Sequence, residues 1–367
     1  MGDPGKQLYI GLMSGTSLDG ADAALVDFST GSPRTLAFAT VAFPDALRDR
    51  ILALSEPGDD SLDLSATVSI ELAELYARAV EGVIAGGGVA RNSIAAIGCH
   101  GQTVRHRPEA GFTIQVNDPA RLAELTGIDV VADFRRRDIA AGGQGAPLVP
   151  AFHEAVFRDP TRSRAVVNIG GISNVTWLPA SGRTLGFDCG PGNVLLDGWA
   201  HKHLGARFDQ DGGWIRQGRS DSDLLARFMA EPFLAAPPPK STGRELFRLR
   251  WLEDRLPRHL SPADVQATLA DFTAHAIVQA IDRFCAGVQE IFLAGGGARN
   301  PALVERIAKL VGGRPVAATD ELGVPTAHVE SMAFAWLAMK CMRREPVDLT
   351  AVTGARAPRI LGAIYAA

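Results

Sequence analysis

The sequence has little cysteine and no pair of cysteines at metal-binding spacing. Its four cysteines, Cys99, Cys189, Cys285 and Cys341, are scattered through 367 residues and form no Cys-x-x-Cys pair. This spacing argues against a zinc knuckle and against a disulfide framework. The low cysteine content instead fits a protein of a reducing compartment.

Long apolar runs and basic blocks are also missing. The most apolar late stretch, residues 332–339, is too short to span a bilayer, and the N-terminus lacks the basic start and apolar core of a signal peptide. The net charge is −4, and the only basic cluster, residues 135–137, is expected to be a solvated loop, with the alternative that one of its arginines reaches a site. We therefore expect a cytoplasmic protein without a membrane or nucleic-acid partner.

Three well-known catalytic motifs are missing as well. No glycine loop ends in Gly-Lys-Ser/Thr, which argues against a Walker A phosphate site. The Gly-x-Ser-x-Gly elbow of serine hydrolases is not found. His153-Glu154 begins like a zinc-protease helix, but Phe157 stands where a second histidine is required.

The composition favours a large α/β protein with two lobes. Apolar residues make up 46% of the chain, enough for a sizeable core, and 39 glycines indicate many tight turns. Apolar periodicity predicts strands and helices in alternation, with Asp118 and Ser261 placed to cap helices. The helices include residues 45–54, 62–84, 119–126, 262–285 and 329–342, and the strands include residues 35–43, 94–98, 112–116 and 129–134.

Two Gly- or Pro-rich segments interrupt this alternation. Residues 140–150 are the predicted hinge between the lobes, because glycine and proline crowd there and the pattern restarts afterwards. Residues 233–245 contain too much proline for a regular helix or a central strand.

Residues 9–28 carry the first chemical signature. They predict a strand, a turn containing Gly15, Thr16, Ser17 and Asp19, and a second strand. Glycine lets a backbone approach an anion closely, N–H and hydroxyl groups hold phosphate oxygens, and an aspartate can face phosphate-bound Mg²⁺. The alternative is an ordinary β-hairpin whose turn requires glycine.

Residues 164–178 repeat this outline. An apolar strand leads into Gly170-Gly171 and Ser173, and a second strand follows. Two such turns indicate a weak internal duplication and, if they face each other, can hold a polyphosphate from both sides. The repeat favours the phosphate-binding interpretation of the first turn.

A third glycine turn, Gly295-Gly296-Gly297, lies between a predicted strand and a helix. Asn300 occupies the place of the last glycine in the dinucleotide fingerprint, which disfavours an NAD site. The turn either approaches the adenosine of ATP or only packs a strand against a helix.

Four polar side chains are candidates for the chemistry. Asp188 precedes a Gly-Pro-Gly-Asn turn into a helix, where the helix dipole keeps a general base ionised, but it can also be a capping aspartate. Glu330, at the start of the last apolar helix, is either a second active-site carboxylate or a first-turn charge. His100 and Gln102 follow a buried strand, where substrate donors often lie, or belong to a polar loop.

Seven strings along the chain resemble the anhydro-N-acetylmuramic acid kinases, a family of the sugar kinase/Hsp70/actin superfamily. In order they are GLMSGTSLDG (11–20), GCHGQTVRH (98–106), VVADFRRRDIAAGGQGAPLVPAFH (130–153), NIGGISN (168–174), FDCGPGN (187–193), PPPKSTGRE (237–245) and LAGGGARNP (293–301). The resemblance covers nearly the whole chain. It departs at Val116-Asn117-Asp118, where Gly-Asp is expected, and at Cys189, where threonine is more usual.

The resemblance implies a fold and its lobes. The fold is a two-lobed, actin-like ATPase of the α/β class, in which duplicated ribonuclease H-like lobes flank a cleft. The N-terminal lobe is expected to hold residues 1–140 and about 345–367, and the C-terminal lobe residues 141–344.

The resemblance also implies a reaction. Water opens the 1,6-anhydro ring of 1,6-anhydro-N-acetylmuramic acid while ATP, with Mg²⁺, phosphorylates O6, which gives N-acetylmuramic acid 6-phosphate in peptidoglycan recycling. Two alternatives stay open: a related kinase for a different sugar or anhydrosugar, and an actin- or Hsp70-like nucleotide switch that binds proteins. A homodimer is compatible with the first function.

Roles for individual residues follow from the same resemblance. Asp188 is the expected base, Glu330 the group that orients water or sugar, and Asp19 the ligand of the metal. The expected ATP contacts are Gly15, Thr16, Ser17, Leu18, Asp19, Gly20, Ala21, Asp22, Gly170, Gly171, Ser173, Asn174, Gly295, Gly296 and Gly297. The expected substrate contacts are His100, Gln102, Asp118, Asp133 and Asn193.

Overall fold

The chain forms two compact units in a computed structural model that describes residues 6–15, 18–55, 62–242, 246–257 and 259–367. The first unit is Met1–Phe152 with His328–Ala367, and the second is His153–Ala327. The sequence suggested divisions near residues 140 and 344 instead. None of the helices in the described part of the chain has the length and apolar character needed to cross a membrane.

Strands and helices alternate along the chain. The strands are β1 (Leu8–Met13), β2 (Gly20–Asp27), β3 (Arg34–Ala42), β4 (Ile94–Cys99), β5 (Gln102–Arg107), β6 (Phe112–Val116), β7 (Val130–Ala132), β8 (Arg164–Ile169), β9 (Ile172–Leu178), β10 (Leu185–Pro191), β11 (Glu290–Ala294), β12 (Val316–Ala318) and β13 (Ala363–Tyr365). The helices are α1 (Asp45–Ser55), α2 (Leu62–Gly87), α3 (Pro119–Thr126), α4 (Phe134–Ala140), α5 (Pro150–Phe157), α6 (Val194–Leu204), α7 (Ser222–Met229), α8 (Pro232–Ala235), α9 (Leu249–Glu253), α10 (Pro262–Phe284), α11 (Pro301–Leu310), α12 (Val329–Met342) and α13 (Thr350–Thr353).

The two units contain sheets of the same core topology. The first sheet has the order β13-β7-β4-β1-β2-β3, and the second has the order β10-β9-β8-β11-β12. In each, three consecutive strands form an antiparallel meander, and the first of them also pairs with a later parallel strand. This is the ribonuclease H-like order, so the duplication predicted from the two hairpins is confirmed, with β1 and β8 in equivalent places.

Local signals at helix starts are confirmed. The Asp118 side chain accepts from the Arg121 N–H at the start of α3, and the Ser261 side chain accepts from the Asp264 N–H at the start of α10. Each cap is followed by a proline at the first helical position, where the missing N–H costs nothing. Because capping depends on a few consecutive residues, the sequence alone was sufficient for both.

Three local predictions were wrong. The predicted strand over residues 129–134 is confined to Val130–Ala132, and Phe134 already begins α4. The basic cluster expected as a solvated loop is the first part of that helix. The Pro-rich segment also begins with a short helix, α8, which starts with a proline at its tolerated first position.

Helix α12 packs directly on the sheet of the first unit. A methyl group added to Gly11 in β1 would lie 1.7 Å from the Ser331 carbonyl oxygen, and one added to Gly98 in β4 would lie 2.0 Å from the Phe334 carbonyl oxygen. Only glycine permits backbones to approach so closely. This contact explains why α12 belongs to the first unit and not, as the sequence suggested, to the second.

The C-terminal segment completes the first unit. β13 pairs antiparallel with β7, and the predicted hinge segment is tied down nearby, because the Gln144 N–H donates to the Thr353 carbonyl at 2.9 Å. The Asp138 carboxylate accepts from the Gly145 N–H at 2.7 Å and from the Thr353 hydroxyl at 2.8 Å. These bonds hold much of residues 140–150 within the first unit.

The close contact under α12 leads to a stability prediction. We expect Gly11→Ala to lower the free energy of unfolding by about 3 kcal/mol, because overpacking forces two rigid backbones apart. The measurement is urea denaturation followed by circular dichroism. Gly31→Ala is the matched control, since a methyl group there meets no atom within 4 Å; equal midpoints for the two variants would contradict the packing.

Candidate active site

Both the backbone N–H and the carboxylate of Asp188 are hydrogen-bonded to backbone groups of one segment. It is 6% exposed, and its N–H donates to the Lys240 carbonyl at 3.1 Å. Its Oδ2 atom accepts from the Thr242 N–H at 2.9 Å. A buried carboxylate requires such donors, so the segment from Lys240 to Thr242 fixes the orientation of this group.

The strand that carries Asp188 leads into the glycine turns of the second unit. Asp188 lies opposite Asn174 in the β9–β10 pairing, whose register shifts before Gly190. Beyond the strand, the Gly192 N–H donates to the Gly171 carbonyl at 2.9 Å, and the Asn193 N–H donates to the Gly170 carbonyl at 2.8 Å. The turn after β8 and the turn after β10 are thus joined by their backbones.

The third glycine turn packs against the end of β8, next to the other two turns. Gly295 has a φ of +78°, and a methyl group on it would lie 2.4 Å from Asn168 Oδ1; one on Gly297 would lie 2.2 Å from Ile169 Cγ2. The Asn193 side chain donates to the Ile169 carbonyl at 3.3 Å. Three turns that are far apart in the sequence therefore converge at one end of the second sheet.

One polar atom near this convergence lacks a partner among the described residues, and another is weakly paired. Asn174 Oδ1 is buried and has no hydrogen-bond partner among the described residues. Ser173 is fully buried and donates weakly to the Pro191 carbonyl at 3.4 Å. Buried polar atoms are normally paired, so an unpaired one beside these glycine turns is a candidate ligand contact.

The first hairpin turn is anchored inside the first unit. Its neighbour Ser14 donates to the Gly101 carbonyl at 3.1 Å and shares a hydrogen bond of 2.8 Å with the Tyr76 hydroxyl. Leu18 has a φ of +59°, and Asp19 is exposed. The Phe43 N–H donates to the Asp19 carbonyl at 3.1 Å. The predicted contacts Thr16 and Ser17 lie outside the described residues.

His100 and Arg135 form a buried pair in the first unit. His100 is 4% exposed, and its Nε2 accepts from Arg135 Nε at 2.9 Å. Burial, followed by the charge of Arg135, holds the pKa of His100 well below its ordinary value, so the ring is neutral at physiological pH. Because Nε2 is the acceptor, the proton of the neutral ring lies on Nδ1.

Gln102 completes this polar group beside His100. It is 1% exposed, and its Oε1 atom has no hydrogen-bond partner among the described residues. The structure therefore brings together the two polar residues that the sequence placed after β4. It adds Arg135 from the basic cluster, one of whose arginines the sequence left open as reaching a site.

The other predicted contacts have different surroundings. Asp118 caps α3, and this structural role explains the residue without a substrate contact. Asp133 has a φ of +61°, and partial burial raises the pKa of its carboxyl group. Asp22 accepts from the Thr40 hydroxyl at 2.6 Å. Glu330 lies in the first turn of α12 in the first unit, whereas Asp188 lies in the second.

A protein-built metal cage is not found in the described part of the chain. No group of three or more His, Cys, Asp or Glu side chains there is placed to hold a metal ion. This arrangement still suits Mg²⁺ carried by a nucleotide, since that ion usually takes one or two carboxylates together with phosphate oxygens and water.

Comparison with known proteins points to one family. The sequence model of the family described as "Anhydro-N-acetylmuramic acid kinase" matches residues 7–367. A relative with that name from Cupriavidus pinatubonensis is 53% identical over 366 residues, which cover 97% of this chain and 98% of the relative. Another from Chromobacterium violaceum is 51% identical over 362 residues, which cover 98% of this chain and 99% of the relative.

Solved structures are more distant. The activator of the 2-hydroxyisocaproyl-CoA dehydratase from Clostridium difficile, with bound ADPNP, covers 92% of this chain and 96% of its own, with 14% identity and a TM-score of 0.48. The fold is therefore assigned from the strand order within each unit.

The third glycine turn yields a prediction about the second unit. We expect Gly295→Ala to lower the melting temperature clearly more than Gly287→Ala. Both glycines have positive φ, at +78° and +72°, but a methyl group meets Asn168 Oδ1 only at Gly295 and open space at Gly287. Calorimetry of the two variants measures the difference, and equal shifts would show that the turns are not in close contact.

Proposed function

The chain belongs to the anhydro-N-acetylmuramic acid kinase family, and we propose that it uses ATP to phosphorylate 1,6-anhydro-N-acetylmuramic acid at O6 while water opens the anhydro ring. The relatives named for this activity align with the chain over nearly their full length. The observation in the structure that supports it best is the buried Asp188 carboxylate, fixed by backbone hydrogen bonds beside three converging glycine turns.

Asp188 is the proposed general base. Its carboxylate takes a proton from a water molecule whose oxygen forms a bond to C1 of the sugar, and the C1–O6 bond of the bridge breaks. The freed O6 attacks the γ-phosphorus of ATP, and the bond from that phosphorus to ADP breaks. The Thr242 N–H, which donates to Oδ2, favours the ionised base and orients it.

The glycine turns are the proposed phosphate and nucleotide contacts. Phosphoryl transfer depends mostly on positioning and on stabilising charge, and backbone N–H groups of glycine turns supply both without a side chain in the way. In the second unit the proposed contacts are Gly170–Asn174 and Gly295–Gly297. In the first unit the proposed contact is the turn from Gly15 to Asp22.

Asp19 is the proposed magnesium contact. Its side chain is exposed while its backbone is fixed by Phe43, whereas the Asp22 carboxylate already accepts from Thr40. Bound Mg²⁺ would supply neutralisation of phosphate charge.

His100, Gln102, Asp133 and Glu330 are the proposed sugar contacts of the first unit. The neutral His100 ring offers an N–H donor at Nδ1, and Gln102 offers an acceptor at Oε1, so the pair suits a neutral hydroxyl or amide. Glu330 is proposed to orient the water or the sugar. Asn193 is also a proposed substrate contact, although its side-chain amide already donates to the Ile169 carbonyl.

The role of Asp188 is tested by Asp188→Asn. An amide keeps the size and the acceptor for Thr242 but cannot take a proton, so we expect kcat to fall by about 10²- to 10⁴-fold. The dissociation constant for ATP, measured by calorimetry, is expected to stay within about twofold of the wild-type value. A variant with substantial turnover would contradict the assignment.

The coupling of hydrolysis to phosphorylation is tested by isotope labelling. With anhydro-N-acetylmuramic acid, ATP and Mg²⁺ in ¹⁸O-water, we expect a product that has gained both water and a phosphoryl group, with the label at the anomeric hydroxyl. Mass spectrometry measures this. A product that has gained only the phosphoryl group would instead indicate a plain sugar kinase.

A further inference from the structure

Lys240 is a buried lysine whose side chain is surrounded by carbonyl groups and aromatic rings. It is 6% exposed, and its Nζ donates to the carbonyls of Phe233 at 3.0 Å and Leu234 at 3.1 Å. Nζ also lies 4.7 Å from the centroid of the Phe233 ring, 5.5 Å from that of Phe284 and 5.8 Å from that of Phe187. Such surroundings suit an ammonium group and hold it in one place.

The backbone of the same residue holds Asp188. The Lys240 carbonyl accepts from the Asp188 N–H, and the Thr242 N–H, two residues on, donates to the Asp188 carboxylate. Through its bonds to the carbonyls of Phe233 and Leu234, the Lys240 side chain ties this segment to the end of α8.

We propose that Lys240 is the positioning residue of Asp188, which it serves by anchoring the 240–242 backbone and by keeping a buried positive charge in the neighbourhood of the carboxylate. The inference rests on the proposed function in that Asp188 is the base there. Lys240 has no proposed contact with the substrate, so it acts only through Asp188.

The charges around the pair are consistent with this role. The described titratable groups that face Lys240 are Asp188 and Cys189 of β10 and Arg283 of α10. Burial raises the pKa of the Cys189 thiol and keeps it neutral, which leaves Asp188 as the anion near the ammonium. Burial lowers the pKa of Lys240, and the negative charge of Asp188 opposes that shift.

Two neutral variants separate anchoring from charge. Lys240→Met removes the charge and both hydrogen bonds, whereas Lys240→Gln removes the charge but keeps a side-chain donor. Lys202→Met is the matched control. Lys202 belongs to the same unit and its Nζ also lies near an aromatic ring, 5.7 Å from the centroid of Trp199, but the side chain is exposed. Circular dichroism spectra and melting temperatures of the variants are the check that each is folded.

The kinetic readouts differ from those of general destabilisation. For Lys240→Met we expect kcat to fall by about 10- to 100-fold with the KM for ATP nearly unchanged, because a displaced base affects the chemical step. The acid limb of the kcat/KM profile is expected to move up by about one pH unit in both variants, since the lost cation had favoured the ionised base. Lys240→Gln should lose less kcat, and Lys202→Met should change neither quantity.

A measurement without turnover decides the same question. Aspartate ¹³C-carboxyl NMR, with the Asp188 signal assigned from Asp188→Asn, should show a pKa for Asp188 about one unit higher in both Lys240 variants than in the wild type. An unchanged Asp188 pKa in both folded variants, or an unshifted acid limb, would overturn the proposal. A wild-type protein inactive on the anhydro sugar would overturn the proposed function instead, and the NMR comparison would still decide the role of Lys240.

Discussion

The first unit depends on the close approach of α12 to its sheet. Gly11 and Gly98, on neighbouring strands, leave room for the carbonyl oxygens of Ser331 and Phe334. That contact places the Phe334 ring 4.7 Å from the His100 ring and 5.5 Å from that of Phe134 at the start of α4. The helix that carries Glu330 thus also packs against the buried histidine and the helix that provides its arginine partner.

The second unit uses close backbone contacts for a different purpose. There the glycines lie in turns, and the turns contact one another through Gly170, Gly192 and Gly295 instead of admitting a helix. A surface built from backbone groups suits phosphate, which needs many short donors at close range. In the first unit, the end of β4 is instead followed by the polar side chains of His100 and Gln102, so the two copies of the topology differ in the groups that they present after corresponding strands.

Sequence reasoning succeeded where a few consecutive residues are enough. The two hairpins, their duplication, the capping residues Asp118 and Ser261 and the full extent of α12 all follow from local patterns of glycine, proline and apolar side chains. The sequence favoured a solvated position for the cluster that contains Arg135 and assigned no role to Lys240, because a basic side chain in a short charged or Pro-rich stretch is usually solvated. Both are turned inward by partners that lie elsewhere in the chain: His100 for the first, and a set of rings and carbonyls for the second.

The family resemblance, the α/β alternation and the candidates Asp188, His100 and Gln102 can all be read from the sequence, since each depends on residues adjacent in the chain. The place of α12 in the first unit, the meeting of three separated glycine turns and the hydrogen bonds from residues 240 to 242 to Asp188 become visible only in the folded chain. Those outcomes depend on which backbones can approach one another and on which buried charges find partners. Both are properties of packing between distant segments, which no local pattern specifies.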